Sequence, residues 1–181
     1  VKTNDPLFTF RLESNGDFHK KSKTMIKNNV TRLLDTKGIP YKPCPLPNKK
    51  LSAIEVAEYL DVSAALVYKT IVVERQEHGK PILALVPARN QVNTKALAKV
   101  IGEKKVSVVT LEKAEKITGL KAGGISPLAL LHKPFEVILD SSVQQHDQIY
   151  ISGGQWGLNI LIAPDDIIKL TGAKTANITK K

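Results

Sequence analysis

Thr70-Ile71-Val72-Val73-Glu74 and, eight residues on, Ile82-Leu83-Ala84-Leu85-Val86 are the two runs that decide the fold. Both are mostly β-branched or apolar, and only Arg75, the polar link Gln76–Lys80 and Pro81 stand between them. They read as neighbouring strands of a buried sheet. Upstream, Ser52-x-x-Glu55 is a capping box that opens a helix running to about Leu60. Ile39–Leu46, with Pro47, carries four prolines, so it is extended and belongs at a sheet edge. Ile26, Val30, Leu33 and Leu34 fall at i, i+4, i+7 and i+8, one face of a helix closed by Gly38. Downstream, helices are expected over Thr94–Ile101 and Leu111–Ile117, ended by Gly102 and Gly119, with a strand Val106–Val109 between them. Strands are expected at Phe135–Leu139, Gln148–Ser152 and Leu158–Ala163. A helix over Pro164–Leu170 has proline and two aspartates in its first turn, and Thr175–Ile178 closes the set. The sum is a single α/β (α+β) domain: one mixed, curved, partly barrel-like sheet flanked by short helices.

The chain has 181 residues, 42% of them hydrophobic, which is enough to bury one sizeable core. No run approaches the roughly 18 apolar residues of a membrane span, and no secretory leader is visible. Cys44 is the only cysteine, so no internal disulfide can form, and a cytoplasmic location is the expectation. The net charge of +10 favours a polyanionic partner, because lysine and arginine release counterions when they neutralise phosphates. Residues 1–24 differ from the rest. They are polar and aperiodic, and they precede the only methionine, Met25. We expect a tag or poorly structured arm there and the domain over 25–181; the alternative is a genuine arm with a strand at Leu7–Leu12. Without residues 1–24 the excess is still +8.

Three places carry residues that packing does not require. Val67-Tyr68-Lys69-Thr70 puts a lysine at the entry of the first strong strand, where its ammonium can face a cleft. Taken alone, it favours an ordinary strand-edge lysine. Lys121-Ala122-Gly123-Gly124-Ile125-Ser126-Pro127-Leu128 has two adjacent glycines that permit close backbone approach. Its successive N–H groups can form an anion nest or oxyanion hole, or the loop can be a tight connection and no more. Ile151-Ser152-Gly153-Gly154-Gln155-Trp156-Gly157-Leu158-Asn159 reads as a hairpin that can aim Ser152 and Asn159 at one pocket. Trp156 can stack on a base or cap the core.

Other chemistries are set aside. His19, His78, His132 and His146 lack metal-ligand spacing, and one cysteine does not make a zinc site. There is no nucleophile elbow and no phosphate-binding P-loop. Asp165-Asp166 is a helix start, and Cys44 among prolines is read as a small apolar residue.

In this order and spacing, Val67-Tyr68-Lys69-Thr70, Gly123-Gly124-Ile125-Ser126-Pro127-Leu128 and Tyr150-Ile151-Ser152-Gly153-Gly154 with Gly157-Leu158 resemble the YbaK family of aminoacyl-tRNA editing domains, from Met25 to about Thr179. Relatives include the insertion domain of bacterial prolyl-tRNA synthetase. The resemblance implies a cleft for the aminoacyl-adenosine end of tRNA and no cofactor or metal. It implies that Lys69 is the essential lysine, orienting the ester carbonyl or contacting phosphate. Gly123 and Gly124 would belong to the loop that approaches the scissile ester, with Ile125, Ser126 and Pro127 completing it. Tyr68, Thr70, Ser152, Gly153, Gly154 and Asn159 would line the pocket. Asn159 stands where the family often has aspartate, and Leu46 or a neighbour stands where it often has an aromatic.

The resemblance also implies a mechanism without a protein nucleophile: the substrate cysteine's thiol attacks its own carbonyl, giving a cyclic thioester and free tRNA. Cys-tRNA(Pro) is the implied substrate, since a synthetase pocket separates near-isosteres by only about 1–3 kcal/mol. The alternatives are a hydrolytic deacylase for Ala-tRNA(Pro) or another mischarged tRNA, and a non-catalytic module that binds tRNA or a synthetase. Prolyl-tRNA synthetase is the implied partner. Lys99, Lys104, Lys105, Lys113 and Lys116 form either a phosphate-tracking face or a solvated one.

Overall fold

The computed structural model describes residues 26–180, so the reading of residues 1–24 lies outside the described residues. The chain runs α1 (Asn29–Thr36), β1 (Tyr41–Pro45), α2 (Ala53–Leu60), β2 (Tyr68–Arg75), β3 (Ile82–Pro87), β4 (Gln91–Val92), α3 (Thr94–Val100) and β5 (Val106–Val108). It continues through α4 (Leu111–Thr118), β6 (Glu136–Asp140), β7 (Ile149–Ser152), β8 (Leu158–Ile162), α5 (Pro164–Thr171), β9 (Lys174–Ala176) and β10 (Thr179–Lys180).

The two diagnostic runs pair as antiparallel neighbours, with Lys69 opposite Val86 and Val73 opposite Ile82. Every residue of β3 is buried. That follows from its central position in the order β5-β2-β3-β6-β9, with β6 parallel to it and β9 parallel to β6. Because alternate side chains take opposite faces, Tyr68 and Val72 join one core with Leu83, Leu85 and Ile125, while Val73, Ile82, Ala84 and Val86 pack with Leu97 of α3 on the other.

The proline-rich segment is an edge strand, as expected: β1 pairs only with β8 in the order β1-β8-β7. Pro43 and Pro45 are two apart, so both missing N–H groups fall on the same unpaired side. The five-stranded and three-stranded sheets meet at a single parallel bridge, Val67–Tyr150. The β structure curves through that bridge without closing into a barrel among the described residues.

Local signals set most element ends. Ser52 and Glu55 cap each other reciprocally, with the Ser52 N–H donating to Glu55 Oε2 at 2.7 Å. The first helix starts three residues later than expected, because Asn28 is its cap and accepts from the Thr31 N–H. The strand expected at Thr175–Ile178 is β9, Lys174–Ala176, and a further strand, β10, follows it. Ile178 instead donates its N–H to Asp140 and accepts from the Asn93 N–H, which lays β10 along β4.

Candidate functional site

Strand β2 has different neighbours along its outer edge. At its start, Val67 bridges to β7; from Val73 onward the partner is β5, with Val72 O accepting from Val109 N. Between them, over Lys69–Ile71, that edge carries no ladder among the described residues. A cleft of about 360 Å³ opens there. Its walls are the entry to α2, the start of α4, the Gly123 loop and the ends of β7 and β8.

Of the residues expected to form a site, Tyr68, Lys69, Thr70, Gly123, Ile125, Ser152 and Asn159 border this one cleft. Gly124, Ser126, Pro127, Gly153 and Gly154 are not among the residues that border it. The Lys69 ammonium donates to the Ala88 carbonyl at 2.8 Å, and no carboxylate pairs with it among the described residues. Partial burial pulls its pKa below the ordinary lysine value, since desolvation penalises the charged form. The Tyr68 hydroxyl is engaged with Ser142 Oγ at 2.7 Å, and burial raises its pKa, so it stays protonated. The Thr70 hydroxyl is buried and has no hydrogen-bond partner among the described residues.

The glycine loop is pinned just before it reaches the cleft. Ala122 donates its N–H to Glu115 Oε1 at 2.8 Å and accepts from Trp156 Nε1 at 2.9 Å. Those contacts explain two signals. The Glu115 carboxyl is held below its usual range by the Ala122 N–H and by Lys121. Trp156, open between stacking on a base and capping, is committed to bracing the loop.

Gly123 sits at φ +87°, which disfavours any side chain. The Gly124 N–H closes a turn onto Lys121 O at 2.8 Å, so it does not face a ligand. A Cβ on Gly124 would come within 3.1 Å of the Gln155 backbone. The N–H groups of Gly123, Ile125 and Ser126 have no acceptor among the described residues, and Ser126 Oγ is likewise buried and unpartnered. These are the donors the loop can offer.

The second hairpin delivers Ser152 and Asn159 as direct cross-strand partners. Ser152 Oγ accepts from the Gly154 N–H at 3.2 Å, and Asn159 is buried opposite Cys44. Gly153 is packed so tightly that a Cβ would lie 2.5 Å from Leu158 Cγ. The Asn28 cap also donates to Gly153 O at 2.8 Å, fastening α1 to this turn.

Sequence reasoning missed several wall residues. Lys50, Ile54, Ala88, Val108 and Leu111 all border the cleft. The capping box placed α2 but carried no sign that its entry folds over the β2 edge. Of the lysines read as a phosphate face, Lys113 pairs with Glu74. No group of three or more His, Cys, Asp or Glu among the described residues could hold a metal ion. No described helix is long and apolar enough to cross a membrane.

Chemically, the cleft offers a partly desolvated ammonium, unengaged backbone donors at a glycine turn, and polar but uncharged walls at Thr70, Ser152 and Asn159. Among the described residues, no histidine, cysteine or carboxylate borders it. It can bind and polarise a carbonyl.

Residues 48–170 match the aminoacyl-tRNA editing domain family. The chain is 36% identical over 163 residues to a protein of Enterococcus faecalis named "Putative Cys-tRNA(Pro)/Cys-tRNA(Cys) deacylase EbsC", covering 89% of this chain and 98% of that one. It is 35% identical over 120 residues to a proline–tRNA ligase of Thermodesulfovibrio yellowstonii, covering 66% of this chain and 20% of the ligase. Among solved structures, the crystal structure of the hypothetical protein APE2540 superposes with a TM-score of 0.78 at 20% identity, over 84% of this chain and all of that one. That likeness concerns the fold.

Proposed function

We propose, from the premise that this chain belongs to the aminoacyl-tRNA editing domain family in its YbaK branch, that it removes cysteine in trans from mischarged Cys-tRNA(Pro). The family is one of aminoacyl-tRNA deacylases, so the chain is an enzyme that breaks an aminoacyl ester. The choice of cysteine is supported by the name of the 36%-identical relative, matched over nearly its whole length. The prolyl system is supported by the similar segment inside a proline–tRNA ligase, and the proposed partner that supplies tRNA identity is prolyl-tRNA synthetase.

The observation that supports the mechanism is the Lys69 ammonium and the Gly123 turn bordering one cleft that carries no histidine or carboxylate among the described residues. An aminoacyl ester is already activated, so positioning and stabilisation of the developing oxyanion suffice. The substrate thiolate attacks its own carbonyl carbon. A C–S bond forms, the C–O bond to the terminal ribose breaks, and the proton lost from the thiol ends on the ribose oxygen. The products are a cyclic thioester and free tRNA. A thiol of reference pKa about 8.5 is mostly protonated at neutral pH, and the ammonium of Lys69 favours its ionised form.

Purified protein incubated with Cys-tRNA(Pro), Cys-tRNA(Cys), Ala-tRNA(Pro) and Ser-tRNA tests this. Only the cysteinyl esters should be lost, and Lys69→Ala should lose activity by two orders of magnitude or so. Equal loss of Ala-tRNA(Pro) would replace the thiol-assisted route with hydrolysis. Equal rates for wild type and Lys69→Ala would remove Lys69 from the mechanism.

A further inference from the structure

A cysteinyl ester brings a second ionisable group into the cleft, its α-amine. With a reference pKa of about 7.7–8.0, that amine is mostly an ammonium at neutral pH. Two charged side chains border the cleft among the described residues, Lys50 and Lys69, and both are cationic. Carboxylates on the surrounding elements are engaged elsewhere. Glu55 accepts from the Ser52 N–H in the capping box, Glu74 pairs with Lys113, and Glu115 is shared between the Ala122 N–H and Lys121. Glu58 and Glu112 do not border the cleft. Its other polar side chains, Ser52, Tyr68, Thr70, Ser152 and Asn159, are uncharged.

Resting on the ester-cleaving reading above, we propose that the cleft takes its substrate without pairing the α-ammonium, and that Asn159 is the specificity-determining residue that makes the amine dispensable. The substrate class is then thiol-bearing acyl esters of tRNA, with or without an α-amine. An ammonium placed beside Lys69 meets a like charge, and burying it without a counter-charge is costly. Asn159 is 6% exposed and lies cross-strand between Ser152 of β7 and Cys44 of β1. Its amide both donates and accepts, so it satisfies a neutral amine, or a water in the amine's place, equally well. It has no charge to offer an ammonium. The Thr70 hydroxyl, buried and without a partner among the described residues, adds a second uncharged acceptor. Cations without carboxylates attract the thiolate and repel the ammonium of the same amino acid, so the site reads sulfur and ignores nitrogen.

A 3-mercaptopropionyl ester keeps every atom the reaction uses. Its sulfur attacks its own carbonyl carbon, a C–S bond forms, the C–O bond to the ribose breaks, and the thiol proton ends on the ribose oxygen. The amine takes no part.

The test measures Kd for acceptor-stem RNA microhelices whose terminal 3′-hydroxyl is replaced by an amine, so that cysteine or 3-mercaptopropionate is held as a stable amide. An uncharged hydrogen bond changes affinity by less than about tenfold, and one to a charged group by more. At pH 7, wild type should bind the mercaptopropionyl ligand as tightly as the cysteinyl one, to within about tenfold. Asn159→Asp, nearly the same shape, should favour the cysteinyl ligand by more than about tenfold, with a thermal melt confirming that it folds. A wild-type preference for the cysteinyl ligand above that factor overturns the proposal whether or not the variant folds, because it means a charged partner for the ammonium. A folded Asn159→Asp protein without the preference overturns the assignment to Asn159. Cleavage of the two esters, measured in parallel, separates this inference from the catalytic reading. Matching Kd values in a protein that cleaves neither ester sustain the inference and sink the deacylase. Cleavage of the cysteinyl ester, with the mercaptopropionyl ligand bound more than about tenfold more weakly, does the reverse.

Discussion

Replacing Trp156 by phenylalanine should weaken both the fold and the chemistry, through one hydrogen bond. The indole Nε1–H donates to Ala122 O at 2.9 Å, and that carbonyl has no other donor among the described residues. Ala122 is buried and immediately precedes Gly123. Phenylalanine keeps an aromatic ring but orphans the carbonyl, a loss of about 1–3 kcal/mol. For a domain of this size, each kcal/mol lowers Tm by roughly 2–4 °C, so a drop of about 2–12 °C is expected. The peptide of residue 122 would then be held only by Glu115, and the Gly123 turn would drift. Misplacement of about 1 Å near a reacting centre is worth on the order of 100-fold, so kcat/KM on Cys-tRNA(Pro) should fall at least tenfold. Circular dichroism melts suit the measurement, because Trp156 is the only tryptophan and its fluorescence disappears with it. A matched control is Arg75→Met at the other end of β2. A Trp156→Phe protein that loses stability yet keeps full kcat/KM would refute the coupling of the brace to the ester site. Unchanged stability would refute the brace itself.

Arg75, only 12% exposed at its side chain, pairs with Glu103 and Glu136; Arg75→Met leaves two carboxylates facing each other and should cost about 2–4 kcal/mol in urea titration, with kcat/KM unchanged. Gly153→Ala should be expressed poorly or melt early, since its Cβ would meet Leu158 at 2.5 Å and overpacking of that kind costs about 1–3 kcal/mol. The lowered pKa of Lys69 fixes the alkaline side of the pH profile. Activity should rise as the substrate thiol ionises, then fall as Lys69 loses its proton below the usual lysine range of about 10.4, and Lys69→Arg should move that fall to higher pH. In stability, the sign is opposite to that of a salt-bridged lysine. The unfolded chain binds the proton more tightly, so the burial penalty is full at neutral pH and is relieved as pH rises from the folded to the unfolded pKa. Lys69→Met should therefore raise Tm at neutral pH. The depressed Glu115 carboxyl contributes stability above its unfolded pKa and loses it as pH falls through the folded value; acid should loosen the Ala122 turn before global unfolding, visible as faster amide exchange at Ala122.

The parts of the fold with a strong period or a strong cap were legible in the sequence. The β2–β3 pair and the Ser52–Glu55 box rest on interactions between residues close in the chain. The proline edge strand was legible from its own missing N–H groups, although its partner β8 lies far along the sequence. The two-residue strands β4 and β10 were not, because they exist through Ile178 and its bonds to Asn93 and Asp140, which are far apart in sequence. The site shows the same division. Residue types at Lys69, Gly123 and Ser152 flagged chemistry, but the cleft itself comes from where β5 ends and β7 diverges, which no residue type announces. Ala88 contributes a carbonyl, and the exposed Val108 and Leu111 at the cleft read in sequence as ordinary strand and helix. The glycine loop was open between a nest of donors and a tight connection, and the Gly124 N–H belongs to the turn onto Lys121 O.

The unladdered stretch of β2 has an evolutionary corollary. Two more residues of pairing by β5 would mend the sheet and improve its hydrogen bonding, and the same repair would wall up the chamber. Selection for a sturdier protein and selection for an open one therefore pull on the same few backbone amides. Insertions that lengthen the Val109–Thr110 connection are a route by which descendants of this sequence could gain robustness and lose their occupation in a single step.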